Sequence, residues 1–328
     1  MKCTNKALLI LSFIAIASTL FTGCGKEEYS MKFNRNRNSS SFSMVSTAEV
    51  NSVLAGYTQD ICVDYSDYDA PASKIQASAG GLFDITDKKV LYGKDLYMSM
   101  NPASLTKVMT ALVALKYGNL SDRITVTENA LVTESGAQTA GLRPGDTMTL
   151  EQALNIMMVC SANDAALAVA EHVGGSVGGF IELMNAEAMR IGATKTHFTN
   201  PHGLTDENHK TTPYDLYLIF NEALKNDTFK SIISQVAYTT SYNDATGNVK
   251  EVSFESTNLF FKGTYQLPQT ISCLGGKTGT TAAAGSCLII YATDSATGKE
   301  YISVILDAPD RETSYTDTES LYSLGNSL

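Results

Sequence analysis

Ser104 and Lys107 stand three residues apart in "NPASLTKVMTAL", residues 101 to 112. On a helix that spacing returns both side chains to one side, the arrangement a nucleophilic serine requires. A serine hydroxyl attacks a carbonyl weakly until a base takes its proton. A lysine amine is a base only when neutral, and burial or a neighbouring positive charge moves its pKa in that direction. Read alone, the pair also fits a serine N-cap followed by an ordinary lysine of an amphipathic helix. Two further polar stretches interrupt apolar segments. "CSAND" places Ser161 and Asn163 at a helix end or in the loop beyond it, and "GGKTGTTAAAG" puts Lys277, Thr278, Gly279 and Thr280 just before a β-rich run. Singly, these fit a polar loop and a glycine-containing turn.

The surrounding pattern supplies the elements that position these residues. "SAGGLFDITDKKVLYGKD" alternates in two short pieces around "TDKK", which predicts a hairpin. The helix opening at Ser104 has Leu105, Val108, Met109, Leu112 and Val113 as one buried face and stops before Gly118. Thr149 and Gln152 are spaced as a capping box ahead of the "LEQALNIMMV" helix. Ser176 begins another helix that ends near Gly192, while Thr212, Pro213 and Asp215 are N-cap, N1 and N3 of a further one. "GSCLIIYATDSATGKEYISVILDAP" is two β-rich runs around a turn. Terminal strands enclosing a helical middle predict an α+β chain, with an antiparallel sheet packed against helices.

The 328 residues carry 24 basic and 34 acidic side chains, a formal charge of −10. With no long basic run, this argues against a nucleic-acid partner. Lys2 and Lys6 precede the apolar run "ALLILSFIAIASTLF", which reads as a signal peptide over residues 1–23. It ends in "LFTGC", similar to a bacterial lipobox with Cys24 as the lipid-anchor site, although Phe21 replaces the usual leucine; a plain secretory signal is the alternative. Residues 24–74, rich in Ser, Asn, Tyr and Asp, read as anchor site and flexible stalk, with a short helix near Thr47. The folded domain is expected over 75–328. Cys62, Cys160, Cys273 and Cys287 remain, and four cysteines allow three pairings. Cys273 and Cys287 flank the Lys-Thr-Gly turn and can pair across it. No cysteine or histidine pair has metal-ligand spacing; His197 and His202 read as loop hydrogen-bonders. No cofactor is expected.

The order Ser-x-x-Lys, Ser-x-Asn 57 positions later (104 to 161) and Lys-Thr-Gly a further 116 on (161 to 277) resembles the penicillin-binding protein and serine β-lactamase superfamily. Within it, "PASLTKVMTAL", "SANDAALAVAE", "FTNPHGL", "HKTTPYDL" and "KTGTTAAAGSCL" are similar, in order, to low-molecular-weight D-alanyl-D-alanine carboxypeptidases of the S11 serine peptidase family. The resemblance implies a β-lactamase/transpeptidase-like fold, in which a sheet flanked by helices stands beside an all-helical lobe carrying Ser161 and Asn163. It implies a peptidoglycan stem peptide as substrate and β-lactam antibiotics as covalent inhibitors.

By the same resemblance Ser104 is the nucleophile, Lys107 its base and Ser161 a proton relay to the leaving D-alanine, while Asn163 binds the substrate and Lys107. Lys277 and Thr278 bind the terminal carboxylate, Gly279 keeps the strand face bare for substrate, and the backbone N–H groups of Ser104 and Thr280 form the oxyanion hole. Arg311 reads as a solvated charge, Cys160 as a buried filler, and the histidines of "NPHGL" and "NHKTT" as loop supports. The stretch from Thr280 to Leu328 is read as too short for the C-terminal domain and anchor helix of many relatives, which favours an N-terminal lipid as the membrane attachment. A β-lactamase also needs a carboxylate that activates water; Glu182 and Asn185 are candidates, but they read better as part of an amphipathic helix. A slowly deacylating penicillin sensor or a peptidoglycan endopeptidase would use the same constellation, the first with a persistent acyl-enzyme and the second with a wider cleft.

Overall fold

The computed structural model describes residues 61–62 and 75–325. All lie in the unit formed by residues 52–328. The signal peptide, Cys24, most of the stalk and the helix expected near Thr47 fall outside the described residues.

Strands β1 (Ala79–Asp84) and β2 (Lys89–Lys94) form the expected hairpin. They join β7 (Ile271–Thr281), β8 (Gly285–Asp294) and β9 (Glu300–Ala308) in a five-stranded sheet of order β2-β1-β9-β8-β7. Every neighbouring pair is antiparallel, and the β1–β9 register, Gly80 opposite Ile305, ties the two ends of the described chain together. The run "CLIIYA" in β8 is apolar without alternation because both faces of the sheet are covered. Leu288, Ile290 and Ala292 pack with Tyr315, Leu321 and Tyr322 of the C-terminal helix, whereas Cys287, Ile289 and Tyr291 point into the main core. The helix is pinned to the sheet by its polar groups. Tyr322 donates its hydroxyl to the Ile290 carbonyl at 3.0 Å, and Asp317 accepts the Gln76 and Ala77 N–H groups at 2.8–3.0 Å.

The helices are α1 (Thr106–Tyr117), α2 (Leu150–Val159), α3 (Asn163–Gly174), α4 (Val177–Ile191), α5 (Pro213–Ala223), α6 (Asp227–Ile233) and the C-terminal α7 (Arg311–Gly325). The expected caps are present. Thr149 and Gln152 make both halves of a capping box, Ser176 accepts the Gly179 N–H, Thr212 accepts the Asp215 N–H, and Gly192 closes α4 at φ 93°. Helix α1 departs from expectation: Thr106 through Ala114 are all buried, so it has no solvent face over that length. It lies between the sheet side, where it meets α5, and the lobe formed by α2 to α4.

That lobe is not all-helical. β3 (Arg123–Thr125), β4 (Thr147–Thr149), β5 (Ala237–Asn243) and β6 (Val249–Glu255) form a second, four-stranded sheet. Its main hairpin turns on Asp244, whose carboxylate accepts the Thr246 and Asn248 N–H groups, and on Gly247 at φ 86°.

Two readings of the cysteines need correction. All four described cysteines are free, and the β7–β8 register sets Cys273 opposite Ala292 but Cys287 opposite Gly279. These positions sit at opposite ends of the hairpin, about 20 Å apart along the strand, so Cys273 and Cys287 cannot pair. The stalk reading fails at Cys62, which is 1% exposed. Its thiol donates to the Asp84 carbonyl at 3.4 Å, and Tyr214 donates its hydroxyl to the Cys62 carbonyl at 2.9 Å, so the packed body includes this residue.

Candidate active site

Ser104 sits on a 3-10 turn, Ala103–Leu105, that leads directly into α1. Ala103 adopts φ 47°, a left-handed conformation that a residue with a side chain keeps only when its surroundings hold it. Part of that support is Gly203 in the "NPHGL" loop, at φ 90°; a Cβ there would stand 1.8 Å from the Ala103 carbonyl oxygen. Lys107, the second residue of α1, is fully buried.

Its Nζ lies 2.9 Å from Ser104 Oγ and donates to Asn163 Oδ1 at 2.6 Å and to the His202 carbonyl at 2.8 Å. Both of the latter are acceptors only. A neutral amine has two N–H bonds and one lone pair; the two acceptors take the hydrogens, and the lone pair is left for the Ser104 hydroxyl. The protonation state agrees: burial, then the charge of nearby Lys277, hold the Lys107 pKa well below the ordinary lysine range.

Ser161 stands between α2 and α3 at φ 64°, again left-handed for a residue with a side chain. Lys277 of β7 donates to Ser161 Oγ at 2.9 Å and to the Thr278 carbonyl at 2.8 Å, and burial pushes its pKa down to about 7. The loop is tied in from outside. The Asn163 N–H donates to the Gln138 carbonyl at 2.8 Å, and the buried Asp164 carboxylate accepts the Ala140 and Leu142 N–H groups.

These residues surround a cleft of about 450 Å³ whose lining includes Ser104, Ser161, Asn163, Thr278, Thr280 and Arg311. Lys107 and Lys277 lie behind the two serines. The sequence-predicted side chains are therefore brought together, with two changes of role. Gly279 does more than leave a strand face bare: a Cβ on it would stand 2.9 Å from the Ser104 nitrogen, so its absence lets β7 approach the Ser104 turn. Arg311, read as a solvated charge, lines the cleft because α7 begins there.

Sequence reasoning missed Glu134 and its neighbours up to Gln138, and Thr257, whose hydroxyl accepts from Thr278 Oγ1 at 2.6 Å. The glycine-broken "ESGAQT" was the only signal for that wall. Asn185 exchanges two hydrogen bonds with the Phe198 backbone, Glu182 is exposed on α4, and neither lines the cleft. Cys160 donates its thiol to the Ile156 carbonyl, and burial pushes its pKa up to about 11, which suits a packing role.

The family model described as D-alanyl-D-alanine carboxypeptidase, peptidase S11, matches residues 66–310. The chain belongs to that family. Among curated relatives, D-alanyl-D-alanine carboxypeptidase DacF of Bacillus subtilis is 33% identical over 223 residues, covering 65% of this chain and 53% of DacF. DacC of Escherichia coli, also named a D-alanyl-D-alanine carboxypeptidase, is 32% identical over 263 residues, covering 77% of this chain and 62% of DacC. The chain thus spans between about half and two thirds of these S11 relatives. The crystal structure of the Streptomyces K15 DD-transpeptidase superposes with a TM-score of 0.72 at 29% identity, over 77% of this chain and 98% of that one.

The depressed lysine has a consequence for stability. An unfolded lysine holds its proton up to about pH 10.4, whereas folded Lys277 releases it near 7. The destabilisation is absent above the ordinary lysine range, grows as the pH falls and is complete below about 7. Urea unfolding of the S11 domain should therefore show stability rising from pH 7 to 8.5 more steeply in the wild type than in Lys277→Met. Parallel curves would contradict the shifted pKa.

Proposed function

We propose that this chain is a serine-type D-alanyl-D-alanine carboxypeptidase, which removes the terminal D-alanine of peptidoglycan stem pentapeptides through an acyl-enzyme on Ser104. The observation that carries this reading is the contact set of the Lys107 amine, whose two hydrogens are engaged and whose lone pair meets Ser104 Oγ at 2.9 Å. As Oγ bonds to the penultimate D-alanine carbonyl carbon, its proton passes to Lys107. The backbone N–H groups of Ser104 and Thr280 receive the developing oxyanion. Asn163, with its Oδ1 held by Lys107, turns its amide N–H toward the substrate backbone. Ser161 delivers its proton to the leaving D-alanine nitrogen as the C–N bond breaks and takes one in turn from Lys277, which donates to it at 2.9 Å, while Lys107 keeps the proton of Ser104. The substrate carboxylate meets Thr278 and Arg311 at the cleft wall, with Lys277 behind. Water then attacks the ester carbonyl, its proton passing through Ser161 to Lys277, and Lys107 returns the held proton to Ser104 Oγ as the ester bond breaks. A β-lactam enters the same path, but its leaving group stays tethered and the ester persists.

A second reading changes only the acceptor: an amine in place of water makes the reaction a transpeptidation. The name of the Streptomyces K15 neighbour, a DD-transpeptidase, favours testing it.

For location, Lys2, Lys6, the apolar run and "TGC" support a lipoprotein on the outer face of a bacterial membrane, anchored through Cys24 after loss of residues 1–23. Cys24→Ala should move the protein to the soluble fraction or the medium; unchanged fractionation with membranes would remove Cys24 from this role.

A fluorescent penicillin should label the wild type on the "NPASLTK" peptide. Ser104→Ala should abolish labelling, and Lys107→Ala should slow it by roughly a thousand-fold or more. A pentapeptide ending in D-Ala-D-Ala should lose one D-alanine, with an added amine captured to the extent that the second reading holds. Label on another residue, or none on folded wild type, would overturn the assignment.

A further inference from the structure

Two buried side chains, His209 and Thr106, lead in series to the peptide that joins Ala103 to Ser104. His209 is 2% exposed, and its Nδ1 accepts the Thr199 backbone N–H at 3.0 Å. A backbone N–H can only donate, so Nδ1 carries no proton and the neutral ring holds its single N–H at Nε2. Burial keeps the ring neutral, its pKa lowered to about 4. Nε2 lies 2.8 Å from Thr106 Oγ1 and donates to it. The Thr106 hydroxyl has one hydrogen, which goes to the Ala103 carbonyl at 2.8 Å. The polarity of the relay is thus fixed at each link, from His209 through Thr106 to Ala103.

The peptide plane carries this to its other edge. In a trans peptide the C=O and the following N–H point in opposite directions, and the described chain has no cis peptide bond. A clamp on the Ala103 carbonyl therefore aims the Ser104 N–H. The Ser104 nitrogen borders β7 at Gly279, where the missing side chain keeps space within 2.9 Å of it. Hydrogen bonds in series polarise one another, so a carbonyl that accepts a bond makes the N–H of its own peptide a better donor. The left-handed Ala103 persists only where its surroundings hold it, and the Thr106 hydroxyl adds to the hold of the Thr106 backbone N–H on the same carbonyl.

We propose that Thr106 and His209 are positioning residues that aim and polarise the Ser104 N–H as an oxyanion donor. The proposal rests on Ser104 being the nucleophile. The relay's benefit grows as charge develops on the substrate oxygen, so its loss falls on kcat and leaves KM nearly unchanged.

Thr106→Val keeps the shape and removes the hydroxyl, and Thr106→Ser restores it. With rates taken per folded molecule by circular dichroism, Thr106→Val should be acylated by a fluorescent penicillin roughly 10- to 100-fold more slowly, with a matching fall in kcat on a D-Ala-D-Ala peptide and KM within about two-fold. Thr106→Ser should recover to within about three-fold of wild type. In a His209→Gln background, Thr106→Val should add little further loss, since both changes cut one chain. Wild-type acylation rates in Thr106→Val, a Thr106→Ser as slow as the valine variant, or a loss confined to KM would each overturn the relay. A folded wild type that takes no label would sink the nucleophile reading and the relay with it; a labelled wild type with an unimpaired Thr106→Val would sink the relay alone.

Discussion

An amine sealed from water and given only neutral oxygens for company cannot carry its charge cheaply. An isolated buried ammonium is so costly that the group releases its proton instead. Lys107 is in that position, with Ser104 Oγ, Asn163 Oδ1 and the His202 carbonyl as its hydrogen-bond partners. Much of the fold serves to keep it so. Helix α1 is buried on all sides over its first nine residues, the loop through His202 closes over the amine, and the helical lobe brings Asn163 from 56 positions away in sequence. A single water reaching the Lys107 amine would weaken the desolvation that lowers its pKa.

The reactive groups come from three directions: Ser104 and Lys107 from the N-terminal end of α1, Ser161 and Asn163 from the α2–α3 junction, and Lys277 to Thr280 from the edge strand β7. Backbone strain marks two of the junctions, at Ala103 and Ser161, each costing on the order of 1–3 kcal/mol. Neither conformation would persist in an isolated segment. Gly203 and Gly279 let neighbouring backbone come close enough to hold the Ser104 turn, and Asp164 with the Asn163 N–H ties the cleft loop to the Ser161 turn.

What was legible in the sequence was local or repeated in a fixed order. Thr149 with Gln152, Ser176, Gly192 and Thr212 announced their helix ends through chemistry that acts within one turn. The three catalytic-type stretches were visible because their residue types are unusual together. Tertiary facts were hidden. Nothing local says that a Cβ at 279 would meet the Ser104 nitrogen, or that Arg311 turns into the cleft. Helix α7 has a weak apolar signature because its buried side mixes Tyr315 and Tyr322 with Ser314 and Thr318, whose hydroxyls donate to the Arg311 and Ser314 carbonyls. The β5–β6 hairpin alternates plainly around "NDATGN" and was readable, although it lies beyond a run of helical patterns. Cys62 looked like part of a polar linker because its partners, Asp84 and Tyr214, are distant in sequence.

The proposed acylation of Ser104 depends on the neutrality of one side chain, and that can be observed without substrate. NMR of the protein labelled with 13C,15N-lysine, with the Lys107 signal assigned by its absence in Lys107→Met, reports the charge of the amine through its Cε shift. The signal should titrate well below the ordinary lysine range, becoming that of a neutral amine while exposed lysines are still charged. A Lys107 that stays charged until about pH 10 or above, as an ordinary lysine does, would contradict its proposed role as the base.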